Sequence, residues 1–439
     1  MFQVGFGTSD ITPDVGMNIP GGFLPNIGKG VRDHRLLAVA CVISDGETTV
    51  ALVGVDTLFI GKSTVTACRQ ALAKTIKIPE ANLLIGASHT HSGGPLEFCF
   101  SNEADPKYTT RVIAAITEAV TDAARSLHAA ELAIGTGVAE GISFNRRFLM
   151  RDGREITHPG KPGTPYHDQI VAPAGPVDPE VGVLAVRTPK GKVRGVLVHF
   201  GCHTTVVGGN LFSPDYVGYL RQHLRNIYGP QTPVCFLLGA CGEVTQVDNL
   251  STSVDFGPEL ADLIGRRLAT EAERTIRRAK WLDQGPLAVH RLTVPCKIRD
   301  EPDVERETPP FGLGSNGKDG MYGKIFEAER KLVAAERAKN PILQCEVQAI
   351  RIGPLGIVTN GSELFVDFQL RIKKASRLPF TWVSTLTNEY IGYVPTPQAF
   401  AGGGYEPRTA RSSKLAPDAG QRLVEGSLKA LAALSDPPA

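Results

Sequence analysis

The chain has 439 residues, 42% hydrophobic and 21% charged, with a formal net charge of +2. Near-neutral, scattered charge argues against a nucleic-acid or membrane-surface partner, and the apolar content suffices for a large core. No stretch approaches about 18 consecutive apolar residues, which excludes a transmembrane helix.

Helix-like and strand-like runs alternate along the chain. Residues 38–44 and 49–55 are β-rich and flank Asp45-Gly46, a hairpin turn signal. Helical spacing follows at 64–76, an apolar strand at 82–86 and a long amphipathic helix at 108–129. Residues 181–187 and 195–200 read as strands around the turn Pro189-Lys190-Gly191. A helix over 214–228 takes Ser213 as N-cap and Pro214 at its first position. A strand at 234–238 and a helix at 258–280 follow, the latter ending in the basic cluster Arg274 to Lys280. Residues 347–352 and 356–359 are strands across Gly353-Pro354, and a helix at 364–375, a strand at 380–386 and a helix at 417–434 close the chain. The expected class is α/β, with mixed β-sheets flanked by helices.

Residues 151–177 and 300–320 are rich in Gly, Pro and charge and read as long loops. Residues 327–339 read as a charged, solvated helical face. No internal repeat is visible. The eight cysteines show no paired spacing and read as buried reduced thiols. Met1-Phe2-Gln3-Val4-Gly5 lacks the layout of a leader peptide, so the expected location is cytoplasmic, or exported with a leader removed.

Metal-ligand residue types recur just after apolar strand runs. His89-Thr90-His91 follows 82–86, His203 follows 195–200, Glu363 follows 356–359, and Tyr393 lies a short loop beyond 380–386. Ligands in α/β sheets bind outside the carboxyl ends of strands, so these ends can offer two imidazoles, a carboxylate and a phenol to one crevice. Each residue also has a structural alternative. His203 could be a satisfied core histidine, Glu363 a first-turn helix carboxylate and Tyr393 a packed aromatic beside Pro395. His199, inside its apolar run, is assigned to the core. Cys241 in Gly239-Ala240-Cys241-Gly242-Glu243 lacks an evident base and more simply shapes a cleft wall. Asp10 and Asp56 read as turn or cap residues.

Ser88-His89-Thr90-His91-Ser92-Gly93 is similar to the signature of the neutral, non-lysosomal ceramidase family. So, in order, are Gly7 to Pro13, Asn145-Arg146, Cys202-His203-Thr204-Thr205, Ser213 to Tyr219, Gly361-Ser362-Glu363 and Asn388 to Tyr393. The resemblance implies one ceramidase-like amidase domain over 1–439, divisible into two α/β lobes at about 1–290 and 291–439. It further implies a zinc ion on His89, His203, Glu363 and Tyr393, with His91, Arg146 and Tyr405 as catalytic groups. Two departures stand out. The Glu363 turn reads Asn360-Gly361-Ser362, without the family's Pro and one residue longer. The family's His-Pro is His203-Thr204 here. The family's immunoglobulin-like C-terminal domain has no counterpart in the sequence, so the expectation is a short form.

The implied activity is cleavage of an N-acyl amide, lipid or smaller, by a metal-activated water. A metal-dependent esterase on the same scaffold is a second enzyme class, separated from the first by matched amide and ester substrates. A metal-binding relative without catalysis is a third, separated by a broad N-acyl substrate panel.

Overall fold

The structure, a computed structural model, describes residues 1–76, 78–300 and 320–434. It is α/β with mixed sheets flanked by helices. The predicted loop at 300–320 falls almost wholly outside the described residues.

One connection pattern occurs three times. In each, a strand pairs antiparallel with the first arm of a hairpin. The second arm leads through a crossover helix to a strand parallel to it. A further helix then packs back across the sheet. The first unit uses Gln3–Asp10, the hairpin Leu37–Ser44 and Thr49–Val55, helix Lys62–Ala73, strand Leu83–Ala87 and helix Pro106–Arg125. The second uses Glu131–Val138, the hairpin Glu180–Arg187 and Val193–Phe200, helix Tyr216–Tyr228, strand Val234–Leu238 and helix Pro258–Arg278. The third uses Leu287–Lys297, the hairpin Ile342–Ile352 and Leu355–Thr359, helix Val366–Ala375, strand Phe380–Ser384 and helix Ala419–Ala432. The repetition is one of topology, and no repeat is visible in the amino-acid sequence.

Pleating sends alternate side chains of each sheet to opposite faces. One face of each sheet meets the other two in a shared core that includes Cys41, Leu52 and Leu84, then Leu184, Leu197 and Leu237, then Ile350, Ile357 and Trp382. The other faces are covered by helices, as where Val112, Ile116 and Val120 pack on Ala40 and Val53. At about 25 cal/mol per Å² of apolar surface removed from water, this three-way core is the main stabilising term. Among the described residues no helix is long and apolar enough to cross a membrane.

Several boundaries differ from expectation for local reasons. The 108–129 helix starts earlier, at Pro106, because Asp105 caps Lys107 and Tyr108. It stops at Arg125 because His128–Ala129 pairs with Gln3 and Val4. Asp215, not Ser213, caps helix Tyr216–Tyr228, and its φ of 58° turns the chain away from a helical start at Pro214. Within 151–177, the segments Glu155–Thr157 and Ile170–Pro173 pair with Arg147–Met150 as a small sheet, too short and irregular to show a period. The charged stretch from 327 lies in helix Met321–Lys339, yet Phe326, Glu329 and Val333 are buried, with Glu329 bonded to Arg411.

Candidate metal centre and active site

The C-terminal ends of strands from all three units converge. His89 follows Leu83–Ala87, where Ser88 N donates to Val55 O at 2.8 Å. His89 itself has a φ of 68°, a left-handed conformation that L residues adopt at a cost of order 1–3 kcal/mol. His203 follows Val193–Phe200, fixed by His203 N to Val244 O at 3.0 Å. Glu363 and Tyr393 belong to two short strands, Ser362–Leu364 and Gly392–Val394, and are register partners in a parallel pairing. Glu363 therefore precedes helix Val366–Ala375 and is not its first-turn carboxylate. The missing Pro of its turn is replaced by Asn360, whose Oδ1 accepts from Ser362 N and Oγ at 3.0 and 2.6 Å.

Three imidazoles face one point. His89 Nδ1 donates to Leu58 O at 2.7 Å, His91 Nδ1 to Gly21 O at 2.7 Å and His203 Nδ1 to Cys241 O at 2.6 Å. Each backbone carbonyl can only accept, so each ring carries a proton on Nδ1 and, in its neutral form, presents the Nε2 lone pair inward. The ligand atoms of the three lie within 4.8 Å of one another. Glu363 Oε2 lies 3.4 Å from both His89 Nε2 and His203 Nε2. It is buried and has no hydrogen-bond partner. Burial, with Arg146 and His89 nearby, holds the His203 imidazolium down to about 4. Desolvation and the two neighbouring imidazoles hold His91 well below its ordinary value.

Inward-facing Nε2 atoms, outer N–H groups tied to carbonyls and an orphaned buried carboxylate oxygen are the preparations a metal site makes. The donor set of imidazoles, carboxylate and phenol suits a divalent ion such as zinc. Thus His89, His203 and Glu363 could hold a metal, with Tyr393 alongside, and His91 has an imidazole within the same reach.

Arg146 is the next layer. It follows the small ladder of Phe144–Asn145 with Val244–Thr245. Its Nη2 donates to Tyr393 Oη at 3.2 Å and to Gly242 O at 2.7 Å. Its Nε donates to Glu406 at 2.7 Å, and Glu406 also binds Arg147 and Thr157. The Tyr405 ring lies 5.7 Å from that of Tyr393.

All seven predicted side chains (His89, His91, Arg146, His203, Glu363, Tyr393 and Tyr405) line one cavity of about 290 Å³. Its lining is mainly apolar, with Phe23, Leu58, Phe59, Phe100, Val247 and Phe256 around the polar centre. His89, Phe100 and His158 all combine a place in that lining with positive φ, so backbone strain gathers at the site.

Residues 2–230, just over half of the 439-residue chain, match the family described as neutral/alkaline non-lysosomal ceramidase, N-terminal. The chain belongs to this family. Ceramidases are amide-bond hydrolases. Two solved structures share the fold. One, described as a ceramidase complexed with C2, has a TM-score of 0.75 at 20% identity over 99% of this chain and 75% of its own. The other, a neutral ceramidase from Pseudomonas aeruginosa, has a TM-score of 0.73 at 20% identity over 99% of this chain and 74% of its own. A search of curated protein sequences gave no match.

Within this ceramidase fold the other sequence candidates take structural places. His199 is buried, stacked on Trp382 and bonded to Val383 O at 3.0 Å. Asp10 caps Thr12, and Asp56 pairs with buried Arg221 while accepting from Leu37 N. Cys241 is buried, its thiol pushed well up by burial, and its contribution is the carbonyl that fixes His203. All eight cysteines are free. The sequence reading missed Tyr390, whose hydroxyl donates to Glu363 Oε1 at 2.8 Å, and Glu406. Both sit within residues of predicted site tyrosines, and neither belongs to a spacing that marks it.

Proposed function

We propose that the chain is a zinc-dependent amidohydrolase that cleaves the amide of an N-acyl substrate, ceramide-like or smaller. The observation that carries this reading is the orphaned Glu363 Oε2, 3.4 Å from the Nε2 atoms of both His89 and His203. His89, His203, Glu363 and Tyr393 are the ligands. When bound, zinc supplies Lewis acidity and lowers the pKa of water from 15.7 towards about 7.

This chain's own residues supply the rest. His91 is the general base. Its Nε2 takes the proton of the attacking water, while Nδ1–H on Gly21 O holds the ring in place. His91 is the most solvent-accessible of the three rings, which favours proton exchange over permanent ligation. Protonated Nε2 then returns the proton to the leaving amine. Arg146, anchored by Glu406 and Gly242 O, and the Tyr405 hydroxyl donate to the oxygen on which negative charge develops. A donor in that role is typically worth about 3 kcal/mol. The aromatic lining excludes water and takes the acyl chain.

The test is hydrolysis of N-acyl amides of graded chain length by the zinc-loaded protein, beside esters of the same acyl groups. Turnover of amides that disappears on chelation and returns with zinc is the expected result. A protein that retains one zinc per chain and turns over no amide overturns the reading.

A further inference from the structure

Two oxygens of one carboxylate have different surroundings in Glu363. Oε1 accepts from the Tyr390 hydroxyl at 2.8 Å. Oε2 faces His89 and His203 and has no donor. The terminal torsion of a glutamate is broad and roughly two-fold, so a carboxylate without a fixed partner presents either oxygen, or both, to a cation. A phenol on Oε1 removes that freedom.

The phenol is itself held. Its ring stacks on Phe59 with centroids 3.9 Å apart and planes 12° apart. Phe59 is the neighbour of Leu58, whose carbonyl receives His89 Nδ1–H. One short segment therefore orients His89 through its backbone and Glu363 through a ring stack. Tyr390 also shares a strand approach with Tyr393, since Ile391 N between them donates to Gly361 O at 2.9 Å.

We infer that Tyr390 is a positioning residue that fixes Glu363 as a one-oxygen ligand, coupling its orientation to that of His89 through Phe59. The inference rests on the reading of Glu363 as a metal ligand. Groups that hold a ligand from outside the coordination sphere typically change metal affinity by about 10–100-fold when removed. Tyr390→Phe keeps the stack and deletes the hydroxyl alone.

Zn2+ is titrated into metal-free wild type, Tyr390→Phe and Glu363→Gln in competition with a chromophoric chelator. Melting temperatures of the metal-free proteins and visible spectra of Co2+-loaded samples are recorded alongside. The expected result is zinc affinity about 10–100-fold weaker in Tyr390→Phe, an altered Co2+ spectrum and an unchanged metal-free melting temperature. Wild-type affinity in Tyr390→Phe, with affinity lost in Glu363→Gln, overturns the role of Tyr390 and leaves the metal reading standing. Wild-type affinity in both variants overturns the metal reading and this one together. A metal-free melting temperature that falls in step with affinity makes Tyr390 a packing element and likewise overturns the assignment.

Discussion

Glu363 and Tyr393 are direct partners across a parallel pairing, Ser362–Leu364 against Gly392–Val394. Paired residues in adjacent strands share a face, so the ladder sets carboxylate and phenol side by side without help from either loop. Glu363→Gln keeps the shape and removes the charge. Its zinc content, read by elemental analysis, is expected to fall to near zero, with a loss of turnover beyond the roughly 10–100-fold of an outer partner.

The two histidines of the His89-Thr90-His91 motif are expected to separate. His89→Ala loses both metal and turnover. His91→Ala keeps about one zinc per chain and loses turnover by about 10²–10⁴-fold, the usual contribution of a general base. Metal content measured with kcat on the same preparations checks both, and a reversed pattern would exchange the two assignments.

Metal removal is expected to act on stability as well as activity. A ligand that binds only the folded state at 100 times its Kd stabilises by about 2.7 kcal/mol. Thermal unfolding with and without excess zinc, after exhaustive chelation, should show a higher Tm in the zinc sample. His89→Ala should abolish the difference.

Acid sensitivity should reside in Glu406. This buried carboxylate binds Arg146 and Arg147, which hold its pKa down to about 2 against 4.5 ordinarily. A depressed pKa means that the folded state prefers the ionised form. The contribution is therefore fully present above about pH 4.5 and fades as pH falls towards 2. Denaturant titrations of Glu406→Gln at pH 7 should show a loss of about 3–5 kcal/mol, the cost of stranding buried charge. The gap to wild type should narrow as pH drops through that window.

Gly21 offers a way to disturb His91 while leaving its imidazole in the sequence. A Cβ on Gly21 would meet the His91 carbonyl oxygen at 2.0 Å and its Cα at 2.6 Å, both backbone atoms that cannot swing aside. Gly21→Ala is thus expected to displace the carbonyl that holds His91 Nδ1–H and to lower kcat, leaving zinc content unchanged. Equal kcat in the two proteins would show that the ring needs no such anchor.

The hairpins and long helices were legible because their periods are long enough to register, as in Thr49–Val55 and Pro258–Arg278. The strands that carry Glu363 and Tyr393 span three residues each, below the length at which alternation can be read. Asp215 was hidden because a positive φ at a non-glycine is dictated by its neighbours, here the Val207 N–H bound to its carboxylate at 2.8 Å. All seven candidate site residues could be named from motif order, and the structure brings them to one cavity. Tyr390 and Glu406 escaped because their partners are 27 and 260 residues away, at Glu363 and Arg146.

The threefold recurrence of one connection pattern has a consequence for how the protein comes into being. His89 belongs to the first unit, His203 to the second, and Glu363 with Tyr393 to the third. A nascent chain that has emerged only as far as helix Pro258–Arg278 holds His89 and His203 but neither Glu363 nor Tyr393. On the proposed ligand set, the metal centre is therefore completed only once the third unit, through Gly392–Val394, has been made and has packed against the other two.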